Sequence, residues 1–259
     1  MCFDLDSRPP IAPIAGGALD SRHLVLTATD GNRLAAFEAR ASAPSGAAML
    51  ILPDVRGLHP YYEELALRFA EHGVDALAID YFGRTAGTEP RPDAFEYRPH
   101  VDQTRWQGLE ADIRAGAEAL RATADGSERT LFSVGFCFGG RMAFLSATLG
   151  LGFAGVIGFY GWPSGVHYTG SPAPTDVADR IRGSVLGLYG GADQGIPAET
   201  VSAFEGALAV AGVDHRVITY PGAPHSFFDR KAEEFADASA AAWDETLGFI
   251  RDRTGRRPA

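Results

Sequence analysis

The chain has 259 residues, 46% of them apolar, and a formal net charge of −10. That length can bury one large core, the composition is ordinary for a globular protein, and the acidic balance argues against nucleic-acid binding. No apolar run reaches the roughly 18 residues of a membrane helix, and Met1-Cys2-Phe3-Asp4-Leu5-Asp6 lacks the cationic and apolar regions of a secretory signal. Two cysteines give no disulfide framework, so a reducing cytoplasm is the expected location and Cys2 reads as an idle terminal thiol.

In chain order, residues 1–20 read as a loose end, with Arg8-Pro9-Pro10 running on to Gly17. Residues 23–28 and 33–40 form a hairpin around the turn signal Asp30-Gly31-Asn32. Residues 47–52 are a strand, Tyr61 to His72 a helix stopped by Gly73, and 74–79 a strand. Tyr81 to Gln103 exceeds the usual loop length and carries Arg84, Arg91, Arg98 and His100. An alanine-rich helix covers 104–122, a strand 130–134, and a helix-like run Arg141 to Leu149. After the strand 154–159 comes a second long loop, 161–176, with Trp162, His167 and Tyr168. The chain then gives a strand 184–189, a helix 197–211, a strand 215–220, a closing helix of about 232–251, and a loose tail 253–259. Short apolar strands without alternation, separated by helices, predict a single α/β domain over 1–259, with a mostly parallel sheet of about eight strands covered on both faces.

The chemistry concentrates at Gly135-Phe136-Cys137-Phe138-Gly139-Gly140, where a strand gives way to a helix. G-x-C-x-G-G at such a turn is the nucleophile elbow of an α/β-hydrolase with cysteine in place of serine. The turn strains the backbone at the nucleophile and excludes side chains beside it. The helix N-terminus beneath the sulfur favours thiolate. Taken alone, Cys137 reads equally well as a buried core thiol. The order of the remaining residues favours catalysis. Asp193 follows strand 184–189, and His225 follows strand 215–220, in the order nucleophile, acid, histidine. Each lies past the C-terminal end of a strand, where ligands bind a parallel sheet. Singly, Asp193 reads as a turn or capping aspartate and His225 as a loop histidine packed on Phe227 and Phe228.

Five blocks together resemble the dienelactone hydrolase (carboxymethylenebutenolidase-like) family of the α/β-hydrolases. They are Leu52-Pro53-Asp54-Val55-Arg56-Gly57-Leu58, Ala78-Ile79-Asp80-Tyr81-Phe82-Gly83-Arg84, the cysteine elbow, Gly190-Gly191-Ala192-Asp193 and His225-Ser226-Phe227. The resemblance implies a Cys137–His225–Asp193 triad. It sets Asp54 where the family has a glutamate that touches the resting thiol. It also sets Asp229 where the prototype has a substrate-binding arginine, with Arg230 one residue later.

The reading is therefore a hydrolase with a cysteine nucleophile acting on a small lactone or ester. The backbone N–H groups of Val55 and Phe138 are expected to form the oxyanion hole. Asp54 is expected to modulate the thiol. Arg98 or Arg105 are the candidates for holding a substrate carboxylate. The long loops are expected to roof the pocket. No cofactor and no metal is expected, since the seven histidines are scattered without ligand spacing. The expected partner is the small-molecule substrate alone, with no nucleic acid or membrane and a monomeric or homodimeric state. A thioesterase or acyltransferase, and a non-catalytic ligand-binding protein on the same fold, are the alternatives.

Overall fold

The computed structural model describes residues 4, 6–91, 95–121 and 128–255. Cys2, the expected helix end at Ala122 and residues 256–259 of the expected loose tail lie outside them.

Eight strands form one sheet: β1 (Ala18–Thr27), β2 (Arg33–Ala41), β3 (Ala47–Leu52), β4 (Val74–Ile79), β5 (Thr130–Phe136), β6 (Phe153–Phe159), β7 (Ser184–Gly190) and β8 (His215–Tyr220). Their spatial order is β1-β2-β4-β3-β5-β6-β7-β8. The pairs β1–β2 and β2–β4 are antiparallel, and every pair from β4 to β8 is parallel. Between the strands run α1 (Pro60–Glu71), α2 (Gly83–Ala86), α3 (Arg98–Val101), α4 (Trp106–Arg121), α5 (Phe138–Ser146) and α6 (Ala198–Val210), and α7 (Ala236–Arg253) follows β8. Strands β3, β4, β6 and β7 are buried at every position, as a sheet covered on both faces requires.

Register tells which helix covers which face. Leu50 pairs with Ser133 across β3–β5, and registered residues of parallel strands point the same way. Ser133 hydrogen-bonds Ser146 of α5 at 2.9 Å, and Leu50 packs at Gly116 of α4. The neighbouring pair Met49–Phe132 points the other way, and Phe132 meets Phe249 of α7. Helix α1 joins α7 on that second face through Phe69 and Trp243, whose rings lie 4.8 Å apart.

Element bounds move by up to five residues, β1 beginning at Ala18 inside the expected loose end 1–20, and three further differences bear on the site. The helix expected from Arg141 begins at Phe138, because the turn before it is complete in a single residue. Two short helices, α2 and α3, lie inside the 81–103 loop. The N-terminal end, expected to be loose, is pinned. Ser7 Oγ donates to Asp229 Oδ2 at 2.6 Å, Arg8 N–H donates to Asp229 Oδ1 at 3.3 Å, and Ile14 N–H donates to Glu71 Oε2 at 2.9 Å. Ile11 is buried in the core, and Gly17 accepts from Ser42 before β1 begins. The two ties to Asp229 join residues more than 200 positions apart, which local composition cannot signal.

The sheet order reverses at β3 and β5. From β3 the chain steps outward to β4, then returns to the opposite side of β3 with β5. Such a switch point leaves a crevice beyond the carboxyl ends of the two strands. The loop after β3 and the turn after β5 meet there.

Candidate active site

Cys137 sits between β5 and α5 with φ 55° and ψ −112°. A non-glycine residue in this region is strained by roughly 1–3 kcal/mol and persists only where its surroundings fix it. Two contacts fix it: Cys137 N–H donates to Phe159 O at 3.0 Å, and Arg141 N–H donates to Cys137 O at 3.3 Å. The flanking glycines are required by close approach. A Cβ on Gly135 would lie 1.9 Å from Gly139 O, and one on Gly139 would lie 2.0 Å from Leu52 O. The turn is thus pressed against the end of β3. The thiol is half-buried.

Asp193 and His225 come together from the ends of β7 and β8. Gly191 N–H donates to Tyr220 O at 2.8 Å, and Ala192 N–H donates to Ala223 O at 2.9 Å, so the two loops are laced side by side. His225 Nδ1 lies 2.6 Å from Asp193 Oδ2. The other carboxylate oxygen accepts Gly195 N–H at 2.8 Å and Ile196 N–H at 3.2 Å. Burial pushes the Asp193 carboxyl up, but the bond to His225, the imidazole's charge and those two backbone donors outweigh it. The net result is a pKa below the ordinary value. Asp193 is therefore ionised at neutral pH, and its acceptor oxygen selects the His225 tautomer with its proton on Nδ1. That leaves Nε2 free to accept a proton.

Strain gathers around this pair. Among the described residues, three non-glycine residues have positive φ: Cys137, Tyr160 at 39° and Ser226 at 59°. The Tyr160 ring lies 4.9 Å from the His225 ring, and Ser226 follows His225 directly. Phe228 is anchored by Tyr61, whose hydroxyl donates to its carbonyl at 2.6 Å.

The loop after β3 lies at the same level, since Leu52 pairs with Gly135. Asp54 is fully buried there. Its Oδ1 accepts Arg56 N–H at 2.8 Å, and its Oδ2 lies 3.3 Å from Arg56 Nη2. Burial raises the Asp54 carboxyl pKa, while Arg56 opposes the rise by its charge and its bonds. His59 Nε2 lies 3.8 Å from Asp54 Oδ1, beyond hydrogen-bond reach. Burial, with Arg56 beside it, lowers the His59 pKa to about 3, so it is neutral. Among the described backbone hydrogen bonds, no acceptor takes the N–H of Val55 or of Phe138. Phe138 is the first residue of α5, where a free donor is inherent to the helix.

The two arginine candidates differ. Arg105 is exposed, and its Nη1 donates to Asp102 O at 2.9 Å and Thr104 O at 2.7 Å. Arg98 is exposed at the start of α3. Asp229, where the resemblance sets an arginine in the prototype, binds Ser7, Arg8 and Lys231 N–H. Among the described residues no group of three His, Cys, Asp or Glu side chains could hold a metal ion, and no helix is long and apolar enough to cross a membrane.

Sequence reasoning missed Arg141. This residue is 1% exposed and reaches into the 161–176 loop. Its position in the first turn of α5, directly after the elbow glycines, was the available signal.

The comparisons agree with this architecture. A protein of Salmonella typhimurium named "Putative carboxymethylenebutenolidase" is 28% identical over 264 residues, covering 96% of this chain and 94% of its own length. A protein of the same name from Synechocystis sp. is 30% identical over 207 residues, covering 76% and 82%. The crystal structure titled "Putative Dienelactone Hydrolase" from Klebsiella pneumoniae superposes with a TM-score of 0.75 at 25% identity, over 90% of this chain and 99% of that one. With the profile of the dienelactone hydrolase family matching residues 34–253, the chain belongs to that family of hydrolases.

Proposed function

We propose that the protein hydrolyses small lactones or esters with Cys137 as the nucleophile. The observation that carries this reading is the strained Cys137 at the head of α5, on the sheet edge that also holds the hydrogen-bonded His225–Asp193 pair. His225 Nε2 takes the thiol proton as Cys137 Sγ attacks the acyl carbon, and Asp193 steadies the imidazolium. The tetrahedral oxyanion is held by the N–H groups of Phe138 and Val55, both left without a described backbone acceptor. As the intermediate collapses, the C–O bond breaks and the alkoxide leaves with the proton from Nε2. A water then attacks the thioester, with His225 as base. The acid departs, and Cys137 recovers its hydrogen.

The test is a panel of lactones and aryl esters with wild-type protein, Cys137→Ala and Cys137→Ser. Loss of one oxyanion donor costs about 100-fold or more in such sites, so losing the nucleophile should cost at least that. Cys137→Ala at near-wild-type rates would remove the nucleophile assignment while leaving family membership untouched.

A further inference from the structure

Arg141 takes no part in the chemistry above, yet it heads the fully buried side chains by size among the described residues. Burying a guanidinium is costly unless every donor is satisfied. Here the satisfaction comes almost wholly from one loop. Nη1 donates to Trp162 O at 3.1 Å and Ser164 O at 2.9 Å. Nη2 donates to Gly165 O at 3.0 Å, Pro172 O at 2.8 Å and Ser171 O at 3.5 Å, and Nε donates to Ser171 Oγ at 3.1 Å. Among the described residues no carboxylate lies within ion-pair distance of it. Burial lowers its pKa to about 10, with Asp176 opposing from farther off, so it stays charged at neutral pH.

The same residue closes the elbow. Its N–H bonds Cys137 O, and the loop's first residue, Gly161, packs so tightly on Gly140 that a Cβ there would lie 2.4 Å from Gly140 C. The 162–172 segment is therefore tied to the nucleophile turn through Arg141 and Gly161. At its tip the segment returns to the nucleophile's neighbour. The Tyr168 ring stacks on Phe138 at 6.3 Å and 21°, and the His167 ring lies 5.7 Å from Phe138. His167 is neutral, its pKa lowered to about 4 by burial and by Arg141. Tyr168, Trp162 and Val166 are all exposed. An aromatic, uncharged surface thus begins one residue from the sulfur.

The geometry points to Arg141 as a positioning residue that holds Tyr168 and His167 as an aromatic wall beside Cys137, and so to neutral esters with an aryl group as the preferred substrate class. This rests on the ester-hydrolysis reading. A fixed wall contributes affinity for a flat ring because its ordering is completed before binding.

The test compares 2-naphthyl acetate with ethyl acetate, which form the same acetyl-enzyme and differ only in the leaving group. Tyr168→Ala should raise KM for the naphthyl ester about fivefold more than KM for the ethyl ester, the size of one aromatic contact. Arg141→Lys and Arg141→Met should do the same and also speed amide hydrogen exchange across 162–172, which Tyr168→Ala should not. Equal losses on both esters, or unchanged exchange in the Arg141 variants, would overturn the proposal. Should Arg141→Met fail to fold, Arg141→Lys and Tyr168→Ala carry the test. If the wild type hydrolyses neither ester, the ester reading falls on its own. The wall is then judged by 2-naphthol binding, whose Kd must rise about fivefold in Tyr168→Ala.

Discussion

Replacing Asp193 by asparagine separates the acid's charge from its shape. The carboxylate faces two ways: Oδ2 toward His225 Nδ1 at 2.6 Å, and Oδ1 toward the N–H groups of Gly195 and Ile196. Those two backbone donors will hold an amide oxygen in the Oδ1 position, because an NH2 group there would face two donors with no acceptor. The amide nitrogen then faces Nδ1 and donates to it. His225 is left as the tautomer with its proton on Nε2, the atom that must accept the thiol proton. The imidazolium also loses its counter-charge. The same substitution in the chymotrypsin-type triad leaves geometry intact and lowers kcat about 10⁴-fold by this tautomer error. A thiol loses its proton more readily than a hydroxyl, so a loss of about 10²- to 10⁴-fold is expected here. The assay is kcat/KM on an aryl ester, with circular dichroism to confirm the fold. Stability adds a second readout. The folded Asp193 pKa is depressed, so its contribution is present above the unfolded carboxylate pKa and is lost as pH falls through the folded value. The gap in urea midpoint between wild type and Asp193→Asn should therefore be open at pH 7 and close in acid. A variant that keeps more than about a third of wild-type kcat/KM would refute the assigned role, since even one tautomer error costs far more.

Three other outcomes follow from the same geometry. Asp54→Asn leaves the buried Arg56 without its carboxylate, so iodoacetamide alkylation of Cys137 should shift to lower pH, becoming several-fold faster below the wild-type midpoint; an unchanged or upward-shifted profile would deny Asp54 that influence. Gly139→Ala drives a Cβ to 2.0 Å from Leu52 O and 2.3 Å from Pro53 O, so a loss of about 3 kcal/mol or more is expected from the urea midpoint, together with a fall in kcat as α5 moves off β3. Arg98→Ala should raise KM several-fold for a carboxylate-bearing ester and leave a neutral one unchanged, while Arg105→Ala should do neither; steady-state kinetics on the ester pair decides.

What the sequence made legible depended on range. Apolar runs such as 47–52 and 74–79 appear as strands with the same limits, because a fully buried strand writes its burial into consecutive residues; 215–220 also keeps its limits, although only Tyr220 in it is buried. The elbow was legible for a steric reason: Gly135, Gly139 and Gly140 each face backbone at distances no Cβ survives. The N-terminal ties were not legible. Ser7 and Asp229 are unremarkable polar residues until folding sets them 2.6 Å apart. Arg141 was signalled only by its place directly after the elbow glycines, and its partners were not legible: five of its six partner atoms are backbone carbonyl oxygens, which every residue possesses. The roles of Asp54 and Arg56 were half legible, since the carboxylate was placed in the loop after β3 but its direct partner, Arg56, was not.

The arginines decide how a net charge of −10 bears on substrate choice. At physiological ionic strength, charges farther away than roughly 8 Å are largely screened, so only a cation at the site matters, and it must be one not already engaged. Arg84 pairs with Asp30 and Asp112. Arg91 pairs with Asp80 at 2.6 Å, and Arg56 with Asp54. Arg105 and Arg141 donate to backbone carbonyls. Of the arginines in the 81–103 loop, Arg98 is the one for which the described contacts include no side-chain partner. A substrate carboxylate drawn to any of the others would have to displace an existing bond of comparable strength, and the gain would largely cancel. The acidic-substrate expectation therefore narrows to Arg98, while the aromatic surface at Phe138 and Tyr168 requires no charge on the substrate at all.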